Sequence, residues 1–526
     1  MLIILPAHLQ VSGVTTWAVR AIKGLRERSI PAGLIVHTAK GESVPAFLAP
    51  YVLGVVENAT PINQLAGNLD DLVENYLRAI KAMHAITNRP VLVSPNLHGD
   101  CHGAIAIISQ QHPELIRSVC WIHSDNEYEL AVARRYEPIL HGFLPVSKEL
   151  ESFTRRSIPS RASDIFHLPY CVEIEPECSV REPMNDRRIH ILYAGRLDEH
   201  QKRISTLPHL ARQLNERAID FDFWIVGDGP EMDSLRRATQ SIPNVHIAGP
   251  VPLDEMSEQL RWADVWVLPS RFEGQSVAML EALASGCLPI VTTVRSGASD
   301  AIIDGPIEKQ TGLCIDADWD TPVEIIAERM CDAIEHAQSL DTQTIARNAH
   351  ALIRDRHSIG RHVDSIEALM EHVNAQPARS WPKHLRASYS AKPNGLDGST
   401  PPDATKRIAK TLDALAGKKV LIYCSGQHTK DVGSSIQDSP TQIVGIIDDD
   451  PSKVGSACIG YPIYTAEMIP ELDATDLVIS SWIYEDSIWS KRKTLESLGV
   501  RVHRLYPPEP AEPSIVSTVS IAASQP

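Results

Sequence analysis

Several features that would place a chain of 526 residues in a narrow class are missing from this sequence. Its nine cysteines are scattered and odd in number, and no two have a Cys-x-x-Cys spacing. This argues against a disulfide framework and favours reduced thiols in a cytoplasm. No apolar run approaches the roughly 18 residues that a membrane-spanning helix needs. The apolar residues 1–5 follow no basic segment, so they predict a buried strand rather than a signal peptide.

Positive charge is also scarce, because 50 lysines and arginines face 66 aspartates and glutamates, a net charge of −16. This net charge disfavours nonspecific attraction to nucleic acid or to anionic lipid as a main mode of binding, and leaves local basic patches open. The hydrophobic content of 43% and the charged content of 22% are ordinary for a globular chain. The length predicts about three domains.

One stretch, residues 264–291, has the pattern of half a doubly wound sheet. Residues 265–268 are an apolar run of strand length, residues 278–284 are good helix formers, and residues 288–291 are apolar again. Gly286 stands where a glycine commonly ends a helix. The stretch therefore predicts a strand, a loop, a helix and a second strand.

Two glutamates flank the predicted helix start: Glu273 in the loop and Glu281 about two turns into the helix. Open α/β sheets bind ligands at the loops that follow their strands. The N–H groups around Ser276 and Val277 would face this crevice with the positive end of the helix, which suits an anion. Taken alone, the two glutamates are better explained as solvated surface residues, so a functional assignment needs evidence from the rest of the chain.

The first third of the chain predicts another Rossmann-like unit. Its predicted strands are residues 2–5, 35–36, 91–94, 118–122, 143–146 and 165–168. Gly13 lies at the first strand-to-helix turn, where backbone can approach a phosphate, although a plain turn is the alternative. His123 follows a predicted strand, and a lone histidine there is either structural or part of a site.

A cluster of potential metal ligands lies in the same third. It consists of His98, Asp100, Cys101 and His102. The spacing matches no standard zinc pattern, so no metal site is predicted.

The second third restarts with predicted strands over residues 189–193, 223–226 and 245–247. Arg196 follows the first of these strands, and Lys202 lies in the loop beyond it. Each could be a surface cation. A diphosphate needs two or more cations or a metal, however, and both could reach the crevice beside Ser276.

A series of short motifs in this region occurs in a fixed order. They are Gly195-Arg196-Leu197, Gln201-Lys202-Arg203, residues 226–230, Phe272-Glu273-Gly274, Glu281-Ala282, residues 286–291, Ser296-Gly297, Asp304-Gly305 and Thr311-Gly312. Their order and spacing resemble the retaining glycosyltransferases of family four, also called glycosyl transferases group 1. The resemblance implies a GT-B fold over about residues 1–375, with two facing Rossmann-like domains and a nucleotide-sugar in the cleft.

The resemblance also implies roles for the donor-site residues. Arg196 and Lys202 match positions that hold the donor diphosphate, and Glu281 matches a carboxylate on the nucleotide ribose. Ser276 and Val277 match amides at the helix start that contact phosphate.

Three further matches concern the sugar and the first domain. Glu273 and His123 match residues near the transferred sugar, and Gly13 matches a glycine loop of the first domain. Catalytic roles are therefore expected for Glu273, His123, Arg196 and Lys202. Two stretches depart from the family: Ser12 precedes Gly13 where a glycine pair is common, and Gln275-Ser276 stands where many members have Phe-Gly.

The resemblance implies a mechanism without cofactor or metal. Family members generally need no metal, and no Asp-x-Asp motif lies at the donor crevice. Charge on the leaving diphosphate would be stabilised by Arg196, Lys202 and the helix amides. The leaving phosphate itself can accept the proton of the acceptor, so Glu273 and Glu281 are not assigned as an acid–base pair.

The last third has a different composition. Residues 376–404 are rich in proline and glycine and predict a linker, residues 405–510 a smaller Rossmann-like module, and residues 511–526 a tail. Asp448 lies near the spacing of a ribose-binding acid after Gly426. Three roles stay open for the module: bound NAD, a nucleotide-like or regulatory ligand, and packing or partner docking.

The sequence thus predicts an α/β protein with a GT-B fold, whose domains are residues 1–175 (acceptor side) and 176–375 (donor side), plus the third module. The expected function is sugar transfer with retention from a nucleotide-diphosphate sugar, a UDP-sugar in the first instance, to a glycan, a lipid-linked sugar or a small molecule. Alternatives are a nucleotide-sugar epimerase, a phosphorylase or a non-catalytic nucleotide-sugar-binding regulator. We expect a cytoplasmic location, with a peripheral membrane or protein partner through the module and no nucleic acid.

Overall fold

The computed structural model describes residues 1–5, 12–58, 68–96, 98–124, 127–294, 297–385, 387–388, 403–449, 453–481 and 485–506. It contains two compact units, residues 1–391 and residues 392–526. Of the predicted motifs, Ser296 and the tail lie outside the described residues. No helix in the described part of the chain is both long enough and apolar enough to cross a membrane.

The first unit begins with a parallel sheet of six strands. The strands are β1 (Leu2–Leu5), β2 (Gly33–Ala39), β3 (Val52–Asn58), β4 (Val91–Pro95), β5 (Ile116–Ile122) and β6 (Leu140–Pro145). The helices are α1 (Gly13–Glu27), α2 (Asp70–Thr87), α3 (Gly99–Gln111), α4 (Glu127–Arg135) and α5 (Lys148–Ser157). The strand order is β3-β2-β1-β4-β5-β6, which is that of a Rossmann domain. Strands such as β1 and β5 are buried along their whole length, as expected for a sheet covered on both faces.

A second parallel sheet of the same type follows in the first unit. Its strands are β7 (Ile189–Ala194), β8 (Phe221–Val226), β9 (Val245–Gly249), β10 (Val265–Leu268), β11 (Leu288–Thr292) and β12 (Leu313–Ile315). Its helices are α6 (Glu199–Lys202), α7 (Thr206–Glu216), α8 (Met232–Thr239), α9 (Leu253–Trp262), α10 (Val277–Ala284), α11 (Val323–Ala337), α12 (Thr342–His357) and α13 (Ile359–Ala375). The order β12-β11-β10-β7-β8-β9 repeats that of the first sheet. Two Rossmann-like domains are thus present, as the sequence predicts.

The end of the first unit differs from the predicted boundaries. Helix α13, expected in the second domain, packs against α1 of the first, where a Cβ on Gly24 would lie 2.8 Å from Val363. The predicted linker also begins with packed chain, because Trp381 is buried and Tyr136 donates to the carbonyl of Ala387 at 2.7 Å. Burial of a large apolar side chain such as that of Trp381 is strongly favourable, which keeps this part of the predicted linker packed on the first domain.

A strand predicted over residues 165–168 is not formed. Only an isolated bridge joins Ile165 to Phe143, and the chain then runs on to the second domain. The apolar side chains Ile165 and Leu168 are nevertheless buried. The apolar run was correct evidence for burial, but too few backbone hydrogen bonds form for a strand.

The second unit is a smaller α/β module. Its strands are β13 (Lys419–Tyr423), β14 (Gln442–Ile447), β15 (Ala457–Cys458), β16 (Tyr461–Tyr464), β17 (Asp476–Ile479) and β18 (Arg501–His503). Its helices are α14 (Ala404–Asp413), α15 (Gln427–Asp431), α16 (Gly433–Gln437), α17 (Glu485–Ser490) and α18 (Arg492–Ser497). Apart from the antiparallel edge strand β15, the order β16-β14-β13-β17-β18 is parallel and Rossmann-like.

Candidate functional site

The candidate site lies where the strand order of the second sheet reverses. Strands β7 and β10 are neighbours there, although the chain between them visits the whole far half of the sheet. The loops after β7 and after β10 therefore start side by side, at the kind of switch point where α/β sheets bind ligands. These loops contain Lys202 and Glu273.

Lys202 and Glu273 form a mostly buried ion pair. The Lys202 ammonium contacts Glu273 Oε1 directly, with side-chain exposures of 13% and 7%. The same carboxylate accepts a hydrogen bond from Ser270 Oγ at 2.7 Å and from Gln201 Nε2 at 3.4 Å. Glu273 is therefore a fixed carboxylate rather than a solvated loop residue.

Two helix starts meet beside this pair. Ser276 caps α10 by accepting from the N–H of Met279, which leaves the earlier amides available. A Cβ on Gly13, the first residue of α1, would lie 3.3 Å from Val277, the first residue of α10. The positive ends of a first-domain helix and a second-domain helix thus converge, and such ends favour an anion.

Arg196 does not join Lys202 in this structure. Its guanidinium lies 3.0 Å from Asp198 Oδ2, and its side chain is 52% exposed. Asp198 also caps α6 by accepting from the N–H of Gln201. The expected convergence of Arg196 on the crevice requires its guanidinium to leave Asp198, so its role stays a prediction.

Glu281 is paired with a residue of the other domain. Arg20 Nη2, on α1, lies 2.6 Å from Glu281 Oε1, with side-chain exposures of 12% and 16%. The expected ribose carboxylate is therefore in contact with the first domain as well as the second. Nothing in the local sequence around Arg20 distinguishes it from a surface arginine, so sequence reasoning missed it.

His123 lies at the end of β5, in contact with the loop that contains Glu273. A Cβ on Gly274 would lie 1.7 Å from the His123 carbonyl oxygen, so only glycine fits at position 274. Burial lowers the pKa of His123 to about 3 and raises that of Tyr170 well above its usual range. The ring is therefore neutral, with Nδ1 at 2.5 Å from the Tyr170 hydroxyl and Nε2 at 3.4 Å from Asn96 Oδ1. The acceptor Oδ1 suits the tautomer with the proton on Nε2, in which the Tyr170 hydroxyl donates to Nδ1.

Gln275 links this histidine cluster to the donor loop. Its Oε1 accepts from the backbone N–H of Tyr170 at 2.8 Å, and its Nε2 is buried with no partner among the described residues. The position where many family members have phenylalanine is thus occupied by an amide that ties the loop to the connection between the domains. Tyr170 and Asn96 were also missed in the sequence, because they come from segments far from the motifs.

The cluster from His98 to His102, for which no metal site was predicted, makes packing contacts. Cys101 accepts from Tyr76 Oη at 3.2 Å, and burial raises its pKa to about 12, while His102 stacks on Tyr136. Across the described ranges, no group of three or more His, Cys, Asp or Glu side chains is placed to hold a metal ion.

In the second unit, Asp448 follows β14 as the spacing predicts. Its Oδ2 already accepts from the N–H and the hydroxyl of Ser425, at 2.8 and 2.5 Å. Cys424, at the place of the first glycine of a dinucleotide fingerprint, has φ +83°, and Thr429 donates to its carbonyl. The strand-end loop is thus closed by its own side chains.

Comparison with known proteins finds a family match in each of the two units. Residues 188–336 match the family model described as glycosyl transferases group 1, and residues 416–505 match the family C2185-like, N-terminal. A 2-deoxystreptamine N-acetyl-D-glucosaminyltransferase from Niallia circulans is 28% identical over 142 residues, 26% of this chain and 36% of the relative. A D-inositol 3-phosphate glycosyltransferase from an Arthrobacter species is 33% identical over 150 residues, 26% of this chain and 34% of the relative. The chain thus spans only about a third of the length of these two curated relatives.

Solved structures support the fold over the first unit. Sucrose-phosphate synthase from Thermosynechococcus elongatus has a TM-score of 0.56 and 17% identity, covering 71% of this chain and 98% of that one. A lipopolysaccharide outer core galactosyltransferase has a TM-score of 0.52 and 17% identity, covering 70% and 98%. Residues 188–336 thus match glycosyl transferases group 1, and the two Rossmann-like domains of the first unit have the GT-B fold.

Proposed function

We propose that the chain transfers a sugar from a nucleoside-diphosphate sugar to an acceptor hydroxyl, with retention of anomeric configuration. The observation that carries the proposal is the junction of the two helix starts at Gly13 and Val277, next to the Lys202–Glu273 pair. An anion bound there would be held by both domains. The sugar attached to it would lie between Glu273 and His123.

The chemistry at this place suits departure of a diphosphate. Negative charge grows on the leaving group in the transition state, and preorganised N–H groups and a lysine stabilise it most when water is excluded. In this proposal Lys202 and the amides of Ser276 and Val277 supply that stabilisation. His123 is neutral, so we expect its Nε2–H to turn from Asn96 Oδ1 and donate to the sugar without adding a charge.

The relatives and fold neighbours guide the choice of substrates. Two curated relatives are named for 2-deoxystreptamine and D-inositol 3-phosphate, which supports a polyhydroxylated small molecule as one acceptor class to test beside glycans and lipid-linked sugars. Fold neighbours were solved with UDP and with ADP, so the donor screen includes both bases, with UDP-sugars first.

The test mixes the full chain with UDP-, ADP- and GDP-sugars and measures the free nucleoside diphosphate. We expect release from one donor, accelerated by its acceptor, with Lys202→Ala about 10²–10³ slower. Conversion of the donor without free nucleotide would indicate an epimerase instead. Binding without any conversion or release would indicate a regulator and would refute the proposal.

Two finer points have their own measurements. The anomeric proton coupling of the product, read by NMR, shows whether configuration is retained. Turnover after dialysis against EDTA, with and without added Mg²⁺ or Mn²⁺, shows whether a metal is needed. We expect retention and no metal requirement.

A further inference from the structure

Three ion pairs surround the candidate site, and one of them is unassigned. Arg196–Asp198 and Lys202–Glu273 lie within the second domain, whereas Arg20–Glu281 crosses between the domains over 261 positions of sequence. The Arg20 pair therefore joins the carboxylate expected on the nucleotide ribose to the first-domain helix whose start faces Val277.

The burial of this pair sets it apart from its neighbours on the same helix. Lys23–Glu173 has side-chain exposures of 44% and 61%, and the Arg28–Asp364 pair is similarly open to solvent. The Arg20 and Glu281 side chains are only 12% and 16% exposed. Exposed ion pairs are screened by solvent and contribute little free energy. A role in binding that depends on a fixed charge and geometry therefore fits the buried pair better.

The hydrogen-bond inventory of the pair is incomplete. Arg20 Nη1 is buried and has no hydrogen-bond partner among the described residues. Glu281 uses Oε1 for Arg20, and no donor from the described part of the chain reaches Oε2. Arg20 Nη1 is thus an unused buried donor on the guanidinium that binds Glu281, and buried polar groups of proteins are rarely left so.

A vicinal diol matches this arrangement. Each ribose hydroxyl both donates and accepts, so one can donate to Glu281 Oε2 while its oxygen or that of its neighbour accepts from Arg20 Nη1. Hydrogen bonds to charged partners are the stronger kind. The pair also lies one to two turns from the joined helix starts, on the same two helices.

We infer that Arg20 is a donor-site residue supplied by the first domain: it positions Glu281 and together with it recognises the 2′,3′-diol of the donor ribose. The inference rests on the proposed function. It couples nucleotide binding to the contact between the two domains, because the diol completes a group that both domains build. It also predicts discrimination against 2′-deoxynucleotides.

The experiment measures dissociation constants of the full chain by calorimetry for UDP, ADP and GDP and for their 2′-deoxy analogues. We expect the wild type to bind the preferred ribonucleotide at least tenfold more tightly than its deoxy analogue. Arg20→Met should weaken the ribonucleotide about tenfold and leave the deoxy analogue nearly unchanged, so that the ratio falls towards one. Arg20→Lys, which keeps the charge but lacks the second nitrogen, should also lose most of the ratio.

The matched control is Lys23→Met, which removes the exposed pair one turn further along α1 and should change neither constant by more than twofold. Thermal midpoints of all variants report folding. If Arg20→Met lowers the midpoint but keeps the wild-type ratio, the pair is only a structural link and the inference is overturned. If the wild type binds none of the three nucleotides, the proposed function fails first.

Discussion

At the scale of single residues, the structure gives the candidate cations different surroundings. Lys202 is held against a buried carboxylate, while Arg196 lies half in solvent on Asp198. A charge pair that is mostly buried is sensitive to the loss of either partner, because the remaining charge has no solvent to replace it. The two cations therefore make separate predictions.

Replacing Lys202 leaves Glu273 buried, with Ser270 and Gln201 as its remaining side-chain donors among the described residues. We expect Lys202→Met to lower the free energy of unfolding by about 3 kcal/mol. The double variant Lys202→Met/Glu273→Gln should recover part of that loss, since no unpaired charge remains, but not the turnover. Urea unfolding and donor release measure the two effects, and a double variant as unstable as the single one would contradict the account.

Arg196→Ala should leave stability within about 0.5 kcal/mol of the wild type, because the side chain is half-exposed. If its guanidinium moves from Asp198 to the donor diphosphate, turnover falls by about 10²–10³. Steady-state kinetics at saturating donor measures this. Unchanged turnover would remove Arg196 from the candidate site and leave Lys202 and the helix amides in it.

At the scale of elements, the loop between β10 and α10 connects the two domains through backbone contact. Gly274 lies on the His123 carbonyl, and the N–H of Gly297 donates to the Gly274 carbonyl at 2.8 Å. Backbone packed on backbone cannot yield as a flexible side chain can. The close approach of the Glu273 loop to β5 therefore requires glycine, which has no side chain, at position 274.

We expect Gly274→Ala to push this loop from β5 and to lower turnover at least 100-fold, since a misplacement of about 1 Å can have that effect. Gly305→Ala is the control in the same domain, because a Cβ there has no atom within 4 Å. Its turnover and thermal midpoint should stay near those of the wild type. Equal behaviour of the two variants would show that the loop tolerates the shift.

At the scale of the whole molecule, the first unit contains several histidines that burial keeps neutral. The pKa of His102, of His141 and of His362 is lowered to about 4, and that of His123 to about 3, with burial as the main cause in each. In an unfolded chain the value is about 6.5. Between these values the unfolded chain binds protons that the native chain does not, so acid favours unfolding.

The free energy of unfolding should therefore fall as the pH decreases below about 6.5, by about 2 kcal/mol for each such histidine at pH 5. Thermal midpoints measured by circular dichroism at pH 7.5, 6 and 5 test this. His141→Gln should flatten the dependence, whereas His336→Gln, at an exposed position on α11, should not. A midpoint independent of pH over this range would contradict the burial of these rings.

The division into two compact units predicts that the first unit folds without the second. The packed segment of the first unit continues to Ser388, whose carbonyl accepts a hydrogen bond from Arg135. A truncation that removed every residue from 385 onward would therefore also remove contacts of the first domain. A fragment of residues 1–391 should instead fold and keep donor release within about twofold of the full chain. Loss of release in a folded fragment would give the second unit a direct role in catalysis.

The sequence alone determined most strands and the motif positions. Runs such as residues 265–268 and 419–423 are strands as predicted, because central strands of parallel sheets are buried on both faces and so must be continuously apolar. The predicted start of α10 was correct to within a residue, since the good helix formers of residues 278–284 directly follow Val277, where the helix begins. Strand positions and helix starts depend on residues that are near one another in the chain, so they can be predicted from the sequence alone.

Only the tertiary structure decided which side chains meet. Arg20 and Glu281 are 261 positions apart, and the sequence around each of them is compatible with a solvated helix face. Lys202 rather than Arg196 contacts Glu273 because α6 turns its last residue towards β10, which no periodicity reveals. Charge pairing across domains depends on distance and burial, and both arise only when the two sheets face each other.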